Sequence, residues 1–211
     1  MPPYDQAEIE QRRQQIIDGA LQVFASKGFA KATNKDIAIA AKIGSPGLIY
    51  HYFKDKRDLF QQVLEQRIPI VQLLAQRGEE MMTKAPQEAL TLFGNAFLQC
   101  LENPTSVALC KLVMSEAFRE PMIAEMFNKV GPGREFAFLI RYLEQQMSAG
   151  VLKPIDPGAA ARCFIGPLIA YIFTQEIFPQ PDTRQLSAET MVKTTVEVFL
   201  RGMLVPHEGV A

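Results

Sequence analysis

Gly47, Tyr50, His51 and Lys54 recur at i, i+3, i+4 and i+7, so they share one face of a short predicted helix. The chemistry open to such a face is recognition rather than reaction. A small residue lets the backbone approach a groove, while phenol, imidazole and ammonium reach phosphates and base edges of DNA. Little else in the chain competes. His51 and His207 are the two histidines, and His207 lies in a polar tail. HExxH, GxSxG, P-loop and GxGxxG patterns are missing. Cys100, Cys110 and Cys163 show no CxxC spacing and sit in apolar helical patterns, which predicts buried thiols in a reducing compartment. Cys and His are too scattered for a metal site, and Glu79-Glu80 reads as exposed charge. We therefore expect no enzyme, no metal and no cofactor.

The elements that position this face are written around it. Thr33 and Asp36 have the spacing of a capping box, followed by the Ala-rich run Ile37, Ala38, Ala40, Ala41. Gly44 breaks that helix. Ser45-Pro46 restarts it, with Ser as N-cap and Pro at the first helical position. Ile49 and Phe53 are four apart and should face a core. Asp55 and Asp58 repeat the capping pattern, so a third helix begins with Lys56. Charge follows the same division. The chain carries a net −1, yet Lys27 to Arg57 holds seven Lys and Arg (27, 31, 35, 42, 54, 56, 57) against Asp36 and Asp55. That is a net +5 on this stretch and −6 on the rest, a basic module on an acidic body.

From about Ile9 to Leu64 the sequence resembles the tetracycline-repressor (TetR) family of bacterial transcription regulators. The words that carry the resemblance are Gly28-Phe29, Thr33-x-x-Asp36-Ile37-Ala38, Ser45-Pro46-Gly47-Leu48-Ile49-Tyr50-His51-Tyr52-Phe53 and Lys54-x-Lys56-x-x-Leu59. The resemblance implies roles residue by residue. Thr33 and Lys35 would contact phosphate or groove. Ser45, Pro46, Gly47 and Leu48 would lead the recognition helix into the major groove. Tyr50, His51 and Tyr52 would meet phosphates and bases, with packing on the first helix as the other reading of Tyr52. Lys54 and Lys56 would anchor phosphates, Lys56 at an exposed helix N-terminus. The family turn reads Gly then an apolar residue, whereas Lys42-Ile43-Gly44 has them reversed. Either Gly44 takes the left-handed position one place later, or Ile43 is strained there.

Around this module the chain reads as helices cut by breakers. Residues 1–8 form a polar tail, and Ile9 to Lys27 is a helix burying Ile17, Ala20, Leu21 and Phe24, closed by Gly28. A long helix from Lys56 buries Leu59, Phe60, Val63 and Leu64 and is interrupted by Pro69, linking module to body. Further helices open at Pro86, Asn103-Pro104, Pro121, Arg134, Asp156-Pro157 and Ser187, with Gly131-Pro132-Gly133 as a loop. No alternating strand pattern appears. Ala159 to Phe173 has Arg162 as its one charge and is apolar all round, which asks for cover by a second subunit or by a monomeric bundle. In the family the last two helices form a four-helix dimer interface. No 18-residue apolar run is seen, and no signal peptide, so neither membrane nor export is expected.

Phe93/Phe97 and Met114/Phe118 are spaced i, i+4 on successive helices. With Met122, Met126, Phe127, Phe136 and Phe164 they could line an apolar ligand cavity or be ordinary core, and Glu116, Arg119 and Arg141 could anchor a ligand's polar end. The resemblance implies that some cavity exists. The reading is an all-α chain: a three-helix helix-turn-helix domain, 9–69, and a helical effector-binding and dimerisation domain, 70–211. Its function would be that of a cytoplasmic homodimeric repressor on a pseudo-palindromic double-stranded operator, released by a small apolar or amphipathic effector. The alternatives are a DNA-binding regulator controlled by a protein partner, and a helical enzyme or carrier.

Overall fold

The computed structural model describes residues 6–181 and 185–205. Eleven helices are named among them: α1 Gln6–Lys31, α2 Asn34–Ala40, α3 Ile49–Tyr52, α4 Lys56–Arg67, α5 Pro69–Met82, α6 Pro86–Leu98, α7 Pro104–Ala117, α8 Pro121–Val130, α9 Pro132–Ser148, α10 Pro157–Ile172 and α11 Ala188–Met203. Strand structure among the described residues is limited to one isolated antiparallel bridge, Leu152 with Leu204. Within the expected N-terminal tail, residues 6–8 are already helical; the first five, like His207, lie outside the described residues.

The helix ends are set by local chemistry. Asp36 N donates to Thr33 Oγ1 at 3.1 Å and Thr33 N to Asp36 Oδ2 at 3.3 Å, a complete capping box for α2. Asp55, Asn103, Asp156 and Ser187 each accept a backbone N–H at the starts of α4, α7, α10 and α11. Ile68 is the extended residue before Pro69, so the long helix expected from Lys56 is two, α4 and α5. Gly131-Pro132-Gly133 is not a loop. Gly131 alone separates α8 from α9, and Pro132 opens α9, because a proline at the first helical position gives up an N–H that has no partner anyway.

The turn between α2 and the recognition segment corrects the sequence expectation. The left-handed residue is neither Ile43 nor Gly44 but Lys42, at φ 53°. Ile43 N donates to Ala38 O at 3.0 Å and Lys42 N to Ile39 O at 3.1 Å. This is a Schellman closure, in which the residue just past the cap must be left-handed and the next one packs back on the helix. Ile43 is buried with Ala38, and that burial sets the register. A left-handed backbone costs a non-glycine residue about 1–2 kcal/mol, partly offset by glycine's larger unfolded freedom. Lys42→Gly should therefore raise stability by about 0.5–1 kcal/mol, whereas Gly44→Ala, with no atom within 4 Å of the added carbon, should be nearly neutral. Thermal unfolding of the two variants checks this; a damaging Lys42→Gly would refute it.

The chain divides into two compact units, each with its own core. The first joins the residues up to Ile68 with Asn103–Gly131; the second joins Pro69–Glu102 with the residues from Pro132 onward. The chain therefore crosses between them three times, the first time at Ile68–Pro69. In the first unit Ile16, Ile17, Ala20 and Phe24 form the buried stripe of α1, with Leu21 half-buried. Phe24, Phe29 and Phe60 meet with ring centroids 5.0–5.7 Å apart. Leu59, Phe60, Val63 and Leu64 are fully buried, as the spacing predicts. Gly28, at φ 82°, breaks the α1 run, and a side chain there would stand 3.2 Å from Glu116 Oε1 on α7. Gly19 lets α2 close on α1: a Cβ would lie 2.5 Å from Ala41 N. In the second unit Phe93 packs with Phe138 and Phe164, each about 6.1 Å away, and Tyr142 donates to Lys84 O at 2.8 Å.

Candidate nucleic-acid interface

The recognition segment is short. Ser45 caps it, with Gly47 N donating to Ser45 Oγ at 3.2 Å; Pro46–Leu48 make one 3-10 turn, and α3 adds one α turn. So small an element is held by what it buries. Ile49 and Phe53 are each 2% exposed, and both lie on the inner face that their spacing predicts. Arg13 of α1 lies over the Phe53 ring, 5.6 Å from its centroid. The opposite face is open. Ser45, Pro46, Gly47, His51 and Lys54 are exposed, Tyr50 is 62% exposed and Leu48 is half-buried. Thr33 and Lys35, at the start of α2, are exposed beside it in sequence.

Tyr52 is half-buried and lines a cleft of about 210 Å³ with Ile9, Arg12 and Gln15 of α1. Its side chain therefore stands across a cleft from the first helix. Lys56 corrects the expectation of an exposed side chain. It is half-buried, and its ammonium donates to Phe29 O at 2.9 Å, Ala32 O at 3.1 Å and Ala30 O at 3.4 Å. It also lies 4.7 Å above the Phe29 ring. The first residue of α4 thus holds the carbonyl end of α1. Of the seven basic residues in this stretch, Lys27 is also engaged, pairing with Asp36 at 2.7 Å. Lys27 and Thr33 together hold the Asp36 carboxyl down at about 2, so the pair stays ionised at neutral pH. Lys31, Lys35, Lys42, Lys54 and Arg57 remain exposed around the recognition segment.

One exposed residue escaped the sequence reading. Ile39 is 69% exposed on α2. Two residues after buried Ile37 it stands about 200° round the helix, and that angle was a usable signal. An isoleucine there offers apolar contact of the kind that thymine methyls take.

The residues expected to line a ligand cavity are divided between the two units. Phe93 and Phe164 are core of the second unit, with Phe97 and Phe136 half-buried in the same unit. Met114, Met122 and Met126 are half-buried on α7 and α8 of the first unit, and Phe118 is 89% exposed at the end of α7, since it caps the helix rather than facing a core. Arg141 pairs with Glu79 at 2.8 Å, Glu116 stands beside Gly28, and Arg119 is exposed. The cysteines differ from expectation too: Cys100 is buried, Cys110 half-buried and Cys163 exposed. No group of three His, Cys, Asp or Glu able to hold a metal occurs among the described residues.

α10 explains Cys163. Its inner side, including Ala160, Ala161, Phe164, Ile165 and Leu168, packs within the second unit. Its outer side shows Ile169 and also Ala159, Cys163 and Pro167, and these last three with Val198 of α11, 65% exposed, line an apolar groove of about 470 Å³. By length and composition alone Pro157–Ile177 could cross a membrane, although Arg162 interrupts every 18-residue stretch of it, as the sequence expectation has it.

Two family profiles match the chain. One, described as bacterial regulatory proteins of the tetR family, covers residues 16–63; the other, AefR-like transcriptional repressor, C-terminal domain, covers residues 88–202, over half of the chain. The HTH-type transcriptional regulator YvkB of Bacillus subtilis (strain 168) is 25% identical over 89% of this chain and 95% of its own length. The HTH-type transcriptional regulator AcrR of Shigella flexneri is 30% identical over 54% of this chain and 51% of its own. Among solved structures, the transcriptional regulator FadR of Bacillus subtilis in complex with stearoyl-CoA superposes with a TM-score of 0.71 at 19% identity, over 90% of this chain and 98% of that one.

Proposed function

The chain belongs to the tetR family of bacterial regulatory proteins, and from that premise we propose a homodimeric repressor that leaves its operator when a small apolar or amphipathic molecule binds it. That it is a DNA-binding transcriptional regulator rather than an enzyme follows from the family. The finer reading rests above all on the recognition segment: a face of Gly47, Tyr50, His51 and Lys54 turned outward by two fully seated anchors, Ile49 and Phe53. Residues 9–69 bind DNA and residues 70–211 regulate it. Thr33, Lys35, Ser45 and Pro46 flank the face as phosphate or sugar contacts, Lys54 anchors a phosphate from within it, Ile39 meets a thymine methyl, and Tyr50 and His51 reach bases. Lys56 acts from behind, by fixing α4 to the end of α1.

The apolar groove of α10 and α11 supports a second copy as its cover, since Cys163 and Pro167 of α10 and Val198 of α11 all turn outward along it. A two-fold dimer reads a pseudo-palindrome whose half-sites lie roughly 34–36 Å apart or at a longer multiple of the helical repeat. A fatty acyl-CoA on the Bacillus subtilis neighbour gives one instance of an amphipathic ligand on this fold.

Selection of bound fragments from random duplex DNA tests this reading. We expect a palindromic consensus. His51→Ala should weaken binding to it by about 1–3 kcal/mol, relax preference at one base position and leave scrambled duplex unchanged. Equal loss on consensus and scrambled DNA would make His51 a phosphate contact, and failure to enrich any sequence would overturn the repressor reading.

A further inference from the structure

The second unit contains a cleft of about 500 Å³ between α5 and α9, with apolar walls that include Val71, Leu74, Ala137 and Phe138. Its charged rim is internally matched. Arg141 pairs with Glu79 at 2.8 Å, and Glu80 pairs with Arg77 at 2.9 Å and Lys84 at 3.3 Å. Glu135 is the exception. It lines the cleft from the first turn of α9 and is 6% exposed, yet it makes no hydrogen bond or ion pair among the described residues. Burial alone pushes its carboxyl up to about 7, with no neighbouring charge or donor contributing. A buried carboxyl without a partner is costly, and such groups persist where a ligand completes them.

The walls select an apolar body and the carboxylate selects a cationic donor. An anion meets Glu135 as a like charge, and a neutral chain leaves it unpaired. We propose that the α5–α9 cleft is a binding site for small cationic amphipaths, an ammonium on a compact apolar body, with Glu135 as counter-ion. The site stands apart from the operator reading, because its test needs no DNA.

Titration calorimetry of the full-length protein with n-octylamine, n-octanol and octanoate at pH 8 gives the result directly. The amine should bind, at least tenfold more tightly than the alcohol, with no heat from octanoate. Glu135→Gln keeps the volume and removes the charge; it should weaken the amine at least tenfold and leave the alcohol unchanged. Amine affinity should rise between pH 6 and pH 8 as Glu135 loses its proton, and this rise should vanish in Glu135→Gln. The other charges facing the cleft are Glu79 and Glu80 from α5 and Arg134 and Arg141 from α9, all present in both proteins. Leu74→Trp fills the cleft from its apolar wall while keeping the Glu135 carboxyl and should abolish the amine heat, so the test survives if Glu135→Gln fails to fold. Undetectable binding at millimolar amine, equal binding to Glu135→Gln, or equal binding to Leu74→Trp would each overturn the proposal.

Discussion

Lys56→Met should destabilise the protein by about 2–3 kcal/mol. A hydrogen bond from a charged group contributes about 1.5–3 kcal/mol, and the ammonium of Lys56 reaches three carbonyls, Phe29 O, Ala30 O and Ala32 O. These bonds are not additive, because one side chain makes all of them and is half-buried, so the lower part of their sum is expected. The contact with the Phe29 ring adds up to about 1 kcal/mol. Methionine keeps the stem and loses every one of these interactions. The carbonyls at the end of α1 then lose their strongest donor, and α4 loses its tie to α1. Urea unfolding of both proteins, followed by circular dichroism, measures the difference. DNA affinity should fall in parallel on operator and scrambled duplex, because the whole recognition segment shifts rather than one contact being lost. A variant of wild-type stability with weakened DNA binding would return Lys56 to the role of an exposed phosphate anchor.

Val198→Glu should separate the subunits and reduce operator affinity by at least a hundredfold. Val198 is 65% exposed at the apolar groove of α10 and α11. In a two-fold interface one substitution acts twice, placing two carboxylates against apolar surface. Each uncompensated buried charge costs on the order of 3–5 kcal/mol, and 1.4 kcal/mol is a factor of ten in affinity. A monomer must then hold DNA with half the contacts. In a monomeric bundle the same change is nearly silent, since the side chain already faces water. Light scattering at micromolar concentration with an operator titration separates the cases: an unchanged mass and unchanged affinity would remove the dimer from the proposed function.

What the sequence determined by itself lies within one helical turn. Thr33 with Asp36, Ser45 with Pro46, Asp55, Asn103 with Pro104, Asp156 with Pro157 and Ser187 begin helices because cap, proline and first N–H groups are chain neighbours. Ile49 and Phe53 face inward because four residues make one turn. The outward face of Gly47, Tyr50, His51 and Lys54 was legible for the same reason. What only the tertiary structure decided depends on partners far along the chain. Lys42 takes the left-handed position because Ile43 has a core to enter. Lys56 turns from solvent to the end of α1, 24 to 27 residues earlier in sequence, where three carbonyls converge. α7 and α8 join the first compact unit because α7 lies along α1 at Gly28. Glu135 sits one turn into an amphipathic helix like many exposed acids, and only the packing of α9 in the second unit makes it a buried carboxyl at the wall of a cleft. Caps and turns act over a few ångströms of contiguous chain; burial is set by whatever distant segment closes over the residue.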